Sequence, residues 1–328
     1  MSNAKAPQPA TQQPASNQAP TPARRSWLYR AWDSDVAYSF RTSPMAIIAG
    51  FTALVIITMA ALAPWIAPFN PYDPSSLNLM DGFTPPMEPN AFTGNTYWLG
   101  TDNQGRDVYS TILYGARISL FVGFMAVLFA MVLGITAGLI AGYRGGWVDS
   151  FLMRVADVQL SFPSILIALL IFGVARGFIP PAYRETMAIW VLIVAIGLSD
   201  WVQYARVVRG ATMVEKSKEY VQAARVIGAH PVKILVRHIL PNVMGPVLVI
   251  ATIGLALAII AEATLSFLGV GVPPTQPSLG TLIRIGQQYL FSGEWWILLF
   301  PSLTLLALAL AVNLLGDWLR DALNPRLR

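Results

Sequence analysis

Six runs of about twenty apolar residues dominate the sequence, near Ala46 to Ala67, Ile118 to Tyr143, Phe151 to Ala175, Met187 to Val208, Val243 to Leu268 and Trp296 to Gly316. A hydrocarbon layer about 30 Å thick needs roughly 20 helical residues at about 1.5 Å rise each. Within it, every backbone N–H and C=O must be satisfied inside the segment. The runs therefore predict an all-α integral membrane protein with six transmembrane helices. Only 12% of residues are charged while 55% are hydrophobic, about half the charged share of a soluble domain. The third run is the least regular, because Arg154, Asp157 and Pro163 crowd its first half. Six spans put both ends of the chain on one side.

Positive charge orients the spans. If the amino terminus is cytoplasmic, 17 of the 22 Lys and Arg lie in inner segments and 5 in outer ones, the asymmetry that marks the cytoplasmic side. N- and C-termini are thus expected in the cytoplasm. The same topology explains the net charge of +5, and without a basic stripe interleaved with aromatics no nucleic acid is expected as a partner. Cysteine is absent, which excludes disulfides and thiolate metal sites.

Residues 1–25 are rich in Pro, Gln, Ala, Ser and Thr and read as a disordered tail. In residues 26–44, Leu28, Trp32, Val36 and Phe40 recur every four positions with Arg25, Arg30 and Arg41 around them. This fits a juxtamembrane amphipathic helix; Asp33 and Asp35 interrupt it, and an irregular linker fits equally. Residues 45–328 read as one six-span domain with an outer loop at about 69–117, an inner loop at about 210–242 and an outer segment at about 269–295. Gly134, Gly138 and Gly142 leave one face of the second span bare, so that another helix can approach closely.

The inner loop carries its own helix signals. Thr212 followed by Glu215 is a capping box that predicts a helix start near Met213. Tyr220, Ala223, Ala224 and Ile227 share a face at helical spacing, and Gly228 suits a left-handed stop. Pro231 fits the first turn of a second helix whose apolar side is Ile234, Leu235, His238 and Ile239, with Lys233 and Arg237 facing water and Pro241 closing it. Two short helices joined by a bend are expected across the inner face. Paired alanines admit a close neighbour, which is either the protein's own spans or another polypeptide.

The segment "QAARVIGAHPVKILVRHILP", Gln222 to Pro241, resembles the cytoplasmic motif of bacterial ABC importer permeases, with Ala223, Ala224, Gly228, Leu240 and Pro241 in register. Gln222 stands where an acidic residue is usual, with Glu219 one turn earlier, and His238 stands where isoleucine is usual. "LGTDNQGRDVYSTILYGARISLFVG", Leu99 to Gly123, and "AEATLSFLGVGVPPTQPSLGTLI", Ala261 to Ile283, are similar to outer segments of the dipeptide, oligopeptide and nickel subfamily. The resemblance implies a type I importer permease fold in the bacterial inner membrane. It also implies a second, homologous permease subunit, two cytoplasmic ATP-binding subunits that hold ATP and Mg, a periplasmic substrate-binding protein, and peptides as substrate, with nickel, glutathione or opine-like compounds as the alternative. Glu219, Gln222, Ala223, Ala224, Gly228, His238, Leu240 and Pro241 are then the residues that couple to the ATPases.

From the residues alone, Asp102, Gly105, Arg106 and Asp107 make a turn in which the charges pair and rigidify the mouth of a helix; substrate contact is the alternative reading. His230 and His238 lack a third ligand for a metal. No G-x-x-x-x-G-K-[ST] phosphate loop, G-x-S-x-G elbow or H-E-x-x-H helix occurs, so no catalytic residue is assigned and energy must come from another chain. Asp157, Asp200 and Glu262 are acids near apolar runs, expected towards span ends, where a structural role is as good a reading as a functional one. Asn313 is expected to hydrogen-bond between helices. A stand-alone secondary transporter would need repeats and coupling-ion sites, and a membrane enzyme would need convergent polar residues; neither pattern is present.

Overall fold

The computed structural model describes residues 35–73 and 77–322, with side chains from 38 onwards; the expected tail and most of the juxtamembrane segment lie outside them. Ten helices carry the architecture: α1 (Asp35–Thr42), α2 (Pro44–Ala61), α3 (Val108–Arg144), α4 (Gly146–Leu160), α5 (Ser164–Phe178), α6 (Arg184–Glu215), α7 (Glu219–Val226), α8 (Pro231–Phe267), α9 (Leu279–Tyr289) and α10 (Trp296–Ala322). Among the described residues β-structure is limited to two isolated bridges, both between residues 89 and 107.

Helix directions follow from the glycine stripe. A Cβ on Gly134 would meet Trp201 and Tyr204, one on Gly138 would meet Ala205 and Val208, and one on Gly142 would meet Arg209 and Thr212. The two sequences advance together, so α3 and α6 pack in parallel at backbone contact, as the bare face predicts. Parallel spans on either side of one connection require that connection to recross the membrane. The recrossing is not the single helix expected over Phe151 to Ala175. It breaks at residues 161–163 into α4 and α5, bent by 96°, because Pro163 cannot donate a hydrogen bond to the preceding turn. Each half has 15 residues, about 22 Å of helix, too short to cross alone. α2, α3, the α4–α5 pair, α6, α8 and α10 make the six crossings.

α8 runs antiparallel to α3: Gly123 packs on Ile259, whereas Val127, one turn further along α3, lies beside Gly254, further back on α8. α10 is antiparallel to α8, with Gly316 against Ile253, and to α2, where Gly50 approaches Leu315. Phe40 of α1 meets Trp318 edge-on at 5.1 Å. The starts of α2 and α8 and the ends of α3, α6 and α10 therefore share one end of the bundle, the basic end. Residues 62–73, 77–107 and 268–295 lie at the other.

Helices overrun the apolar runs in water. α3 begins ten residues before Ile118, where the Asp107 carboxylate accepts from Ser110 N at 2.9 Å as its N-cap. At 37 residues α3 is about 55 Å long, well beyond the hydrocarbon. Buried Ile112, Ile259, Leu279 and Leu308 join α3, α8, α9 and α10, and Val122, Phe172, Ile196 and Leu265 join α3, α5, α6 and α8. The Asn313 side chain is exposed and makes no hydrogen bond among the described residues, against the expectation of an interhelical one.

Candidate functional site

At the basic end, two expectations need correction. No helix starts near Met213: α6 continues to Glu215, Thr212 is buried against Gly142, and Glu215 serves as an acceptor for Lys218 and Tyr220. Nor does Pro241 close a helix, since α8 runs from Pro231 through it to Phe267. Leu235–Ile239 form a π turn in which Leu240 N donates to Leu235 O. Widening the turn accommodates the proline ring, which in a regular helix would collide with the carbonyl of Arg237. Long helices thus enter from both sides the stretch expected as loop, leaving residues 216–230 between them.

That stretch is clamped. Glu215 accepts from Lys218 Nζ at 2.6 Å and from the Tyr220 hydroxyl. Tyr220 OH accepts in turn from Asn242 Nδ2 at 2.9 Å. Lys216 Nζ donates to Gly142 O at 2.7 Å, and Arg225 sits 4.9 Å over the Tyr143 ring. Burial, then the Glu215 hydrogen bond, pushes the Tyr220 phenol above its ordinary pKa, and the bond to Glu215 raises the Lys218 ammonium. One level deeper, Arg209 makes a two-pronged pair with Asp149 of α4, one prong at 2.6 Å. α7 is therefore fastened to the ends of α3 and α6 and the start of α8.

Its faces are not those read from the sequence. Val221 is buried and Ala224 half-buried, making the inner face; Tyr220 turns its hydroxyl to Glu215 and Asn242, while Ala223 and Ile227 are exposed. Val226 is 88% and Ile227 83% exposed beside Gly228, whose φ of +81° places it in the left-handed stop expected of it. Glu219 and Gln222 are exposed, Gln222 Nε2 donating to Lys216 O at 2.9 Å. Lys233 and Arg237 face outwards as expected. His238 and Leu240 are half-buried, His238 lending its carbonyl to Asn242 Nδ2 at 2.8 Å, and Pro241 is exposed. Of the expected coupling residues, Glu219, Gln222, Ala223, Gly228 and Pro241 are exposed and Ala224, His238 and Leu240 half-buried, and the prominent exposed apolar pair is Val226 and Ile227. The alternation Val221/Ala224 against Val226/Ile227 held that information; the paired alanines drew attention away from it.

At the opposite end, Asp102 and Arg106 pair at 2.6 Å and both are buried. Asp102 also accepts from Gln104 N and Arg106 N, and Arg106 Nη1 reaches Pro274 O at 3.4 Å. Gly105 has φ +75°, and a Cβ there would fall on Asn78 O. Asp107 is not part of this pair; it caps α3. Burial pushes its carboxyl upwards while the Ser110 hydrogen bonds pull it back. The four residues thus have structural uses here: Asp102 and Arg106 close the turn, Gly105 lies against Asn78, Asp107 caps α3, and Arg106 reaches the loop at Pro274.

Of the three acids, Asp157 and Glu262 lie towards the ends of their helices, as expected, and Asp200 does not. Asp157 lies in α4's last turn and pairs with Arg206 of α6 at 2.5 Å. Glu262 is wholly buried, accepting from Ser266 Oγ at 2.7 Å. Asp200 sits at mid-length of α6 rather than towards a span end, and with Gln203 and Tyr204 lines a cavity of about 10 Å³, room for one water.

Comparison with known proteins adds to this geometry. Residues 134–328 match the model of the "binding-protein-dependent transport system inner membrane component" family, and residues 31–86 match the "N-terminal TM domain of oligopeptide transport permease C". The chain is 36% identical over 310 residues to the dipeptide transport system permease protein DppC of Haemophilus influenzae, covering 94% of this chain and 96% of that one. It is 36% identical over 294 residues to the oligopeptide transport system permease protein OppC of Bacillus subtilis, 90% of each chain. The glutathione transport system permease protein GsiD of Pectobacterium atrosepticum is also 36% identical, over 88% of this chain and 89% of its own. Among solved structures, an inward-facing MetNI methionine ABC transporter chain superposes with TM-score 0.51 at 21% identity, over 65% of this chain and 96% of that chain; this likeness shows the fold.

Proposed function

The chain belongs to the family of binding-protein-dependent transport system inner membrane components, and from that premise we propose that it forms half of the membrane path of an ATP-driven peptide importer. A second, homologous permease completes the path, one of two cytoplasmic ATP-binding subunits docks on residues 216–230 and the other on the second permease, and a periplasmic binding protein delivers peptides to the opposite end. The excess of Lys and Arg assigns the basic end to the cytoplasm. Peptides are favoured because dipeptide and oligopeptide permeases stand among the relatives over nearly the whole chain.

The single observation that carries the coupling is the exposed Val226–Ile227 pair on a helix that is otherwise fastened down. Two large apolar side chains held rigidly in water, among Glu219, Gln222 and Arg225, are the form of a docking knob rather than of a lipid contact. Closure of the ATPases on ATP would push on this knob. The push passes through the Glu215–Tyr220–Asn242 bonds to α6 and α8 together, and through Arg209 to α4. α6 and α8 line the bundle interior with α3, so displacing their basic ends changes which end of the path is open. Hydrolysis, ATP and Mg belong to the partners.

The test is co-expression with the cognate ATPase and permease genes. The unaltered chain should co-purify with both ATPases and, in proteoliposomes with binding protein, take up a dipeptide only when ATP is inside. Val226→Asp with Ile227→Asp should lose the ATPases and the uptake while remaining inserted and helical. Uptake driven by an ion gradient without ATPases would overturn the reading.

A further inference from the structure

Only five of the chain's Lys and Arg lie in segments at the outer end, Arg106, Arg117, Arg176, Arg184 and Arg284. Three of these scarce cations line a single cavity of about 130 Å³: Arg176 near the end of α5, Arg184 at the first residue of α6, and Arg284 on α9. Glu185 is the one acid on its wall; it accepts from Thr275 Oγ1 at 3.4 Å and forms no ion pair among the described residues. The wall therefore carries an excess of two positive charges. Arg106, in contrast, is matched by Asp102. Guanidinium groups cannot shed their protons near neutral pH, so the convergence favours an anion.

The cavity is also built to hold its cations. Arg284 is half-buried and its guanidinium lies over bare backbone at Gly269, where a Cβ would collide with it. Arg184 is half-buried and its Nε is fixed by Ile179 O at 3.2 Å. The amino-terminal end of α6, a helix of 32 residues, adds its own partial positive charge. We propose that this cavity is a carboxylate subsite that receives the C-terminal carboxylate of a peptide at the outer mouth, with Arg284 and Arg184 as its main ligands. Forked N–H donors suit a carboxylate's two oxygens. A space of this size admits the end of a peptide and not the whole, which fits a hand-over point rather than a storage pocket. The inference rests on the peptide reading above.

The test uses the assembled transporter in lipid nanodiscs, labelled with phenylglyoxal, with modification of Arg284 and Arg184 followed by mass spectrometry. The probes are dialanine, dialanine amide, inorganic phosphate, and peptide-free binding protein. Dialanine at ten times its half-protecting concentration should slow modification of both arginines about tenfold, as expected for one saturable site, and the amide should not. Four results would overturn the proposal: equal protection by acid and amide, protection by phosphate but not by dialanine, protection by the binding protein alone, and arginines unreactive without any probe because another subunit covers them. Carboxylate-dependent protection in a complex that never transports dialanine would instead refute peptide transport and leave the site standing.

Discussion

Replacing Gly138 with alanine tests the backbone contact on which the α3–α6 pair is built. The new Cβ would lie 2.5 Å from Ala205 O, 2.8 Å from Val208 Cβ and 3.0 Å from Arg209 N. Non-bonded carbon contacts settle near about 3.5 Å, so the helices must part by about 1 Å, and because two of the three neighbours are backbone atoms no rotamer change relieves the clash. Overpacking of this kind costs about 1–3 kcal/mol. Alanine's better helix propensity returns at most about 1 kcal/mol. The net is about 1–2 kcal/mol of destabilisation, roughly a tenfold change in the folded-to-unfolded ratio. Gly173→Ala on α5 is the control, since nothing lies within 4 Å of its Cβ and only the propensity gain remains. Reversible SDS unfolding of the purified chain in mixed micelles, followed by circular dichroism, gives both values. If Gly138→Ala were as stable as Gly173→Ala, the helices would not touch where the structure puts them.

Tyr220→Phe removes the hydroxyl that joins Glu215 to Asn242; the loss of about 1 kcal/mol should speed amide exchange in residues 219–226 several-fold and leave residues 99–107 unchanged, as read by hydrogen–deuterium exchange. Tyr97 donates to Asp81 at 3.0 Å, and burial followed by that bond pushes its phenol to about 12. A raised pKa means the fold favours the neutral form, so this stabilisation is intact below the ordinary value of 10.0 and is lost as pH rises through about 12. Difference absorbance at 295 nm between the parent and Tyr97→Phe should show the missing step near the upper value; a step at 10.0 would refute the buried bond. Arg209→Gln breaks the tie between α4 and α6, and because both partners are partly screened the cost is expected at about 1 kcal/mol or less; Asp149→Asn in that background should add almost nothing in a double-mutant cycle.

The spans were legible because a bilayer demands long apolar runs, and the glycine stripe because a bare helix face has few other uses. Helix ends were not. Hydropathy stops reporting once a helix leaves the hydrocarbon, so the first ten residues of α3 and the last turns of α6 passed as loop. The Thr212–Glu215 spacing imitates a capping box, but both side chains are committed elsewhere, Thr212 against Gly142 and Glu215 to Lys218 and Tyr220. Pro241 reads as a helix stop, and only the π turn at Leu235–Ile239, just before it, lets the helix pass through it. On α7, apolar spacing could not tell a packed face from a docking face, because an exposed knob and a core contact use the same side chains. Tertiary pairing between distant segments, such as Asp157 with Arg206, leaves no local pattern.

The chain contains no cysteine, which makes the central claim directly measurable. Ile227→Cys and Phe291→Cys place single thiols at the two ends of the bundle, on side chains 83% and 97% exposed. A membrane-impermeant maleimide is applied to detergent-solubilised complexes, without binding protein, before and after the ATPases are stripped. At residue 227, labelling should be blocked with the ATPases in place and rapid once they are gone, while residue 291 labels rapidly in both. Rapid labelling of residue 227 in the intact complex would mean that nothing rests on this surface.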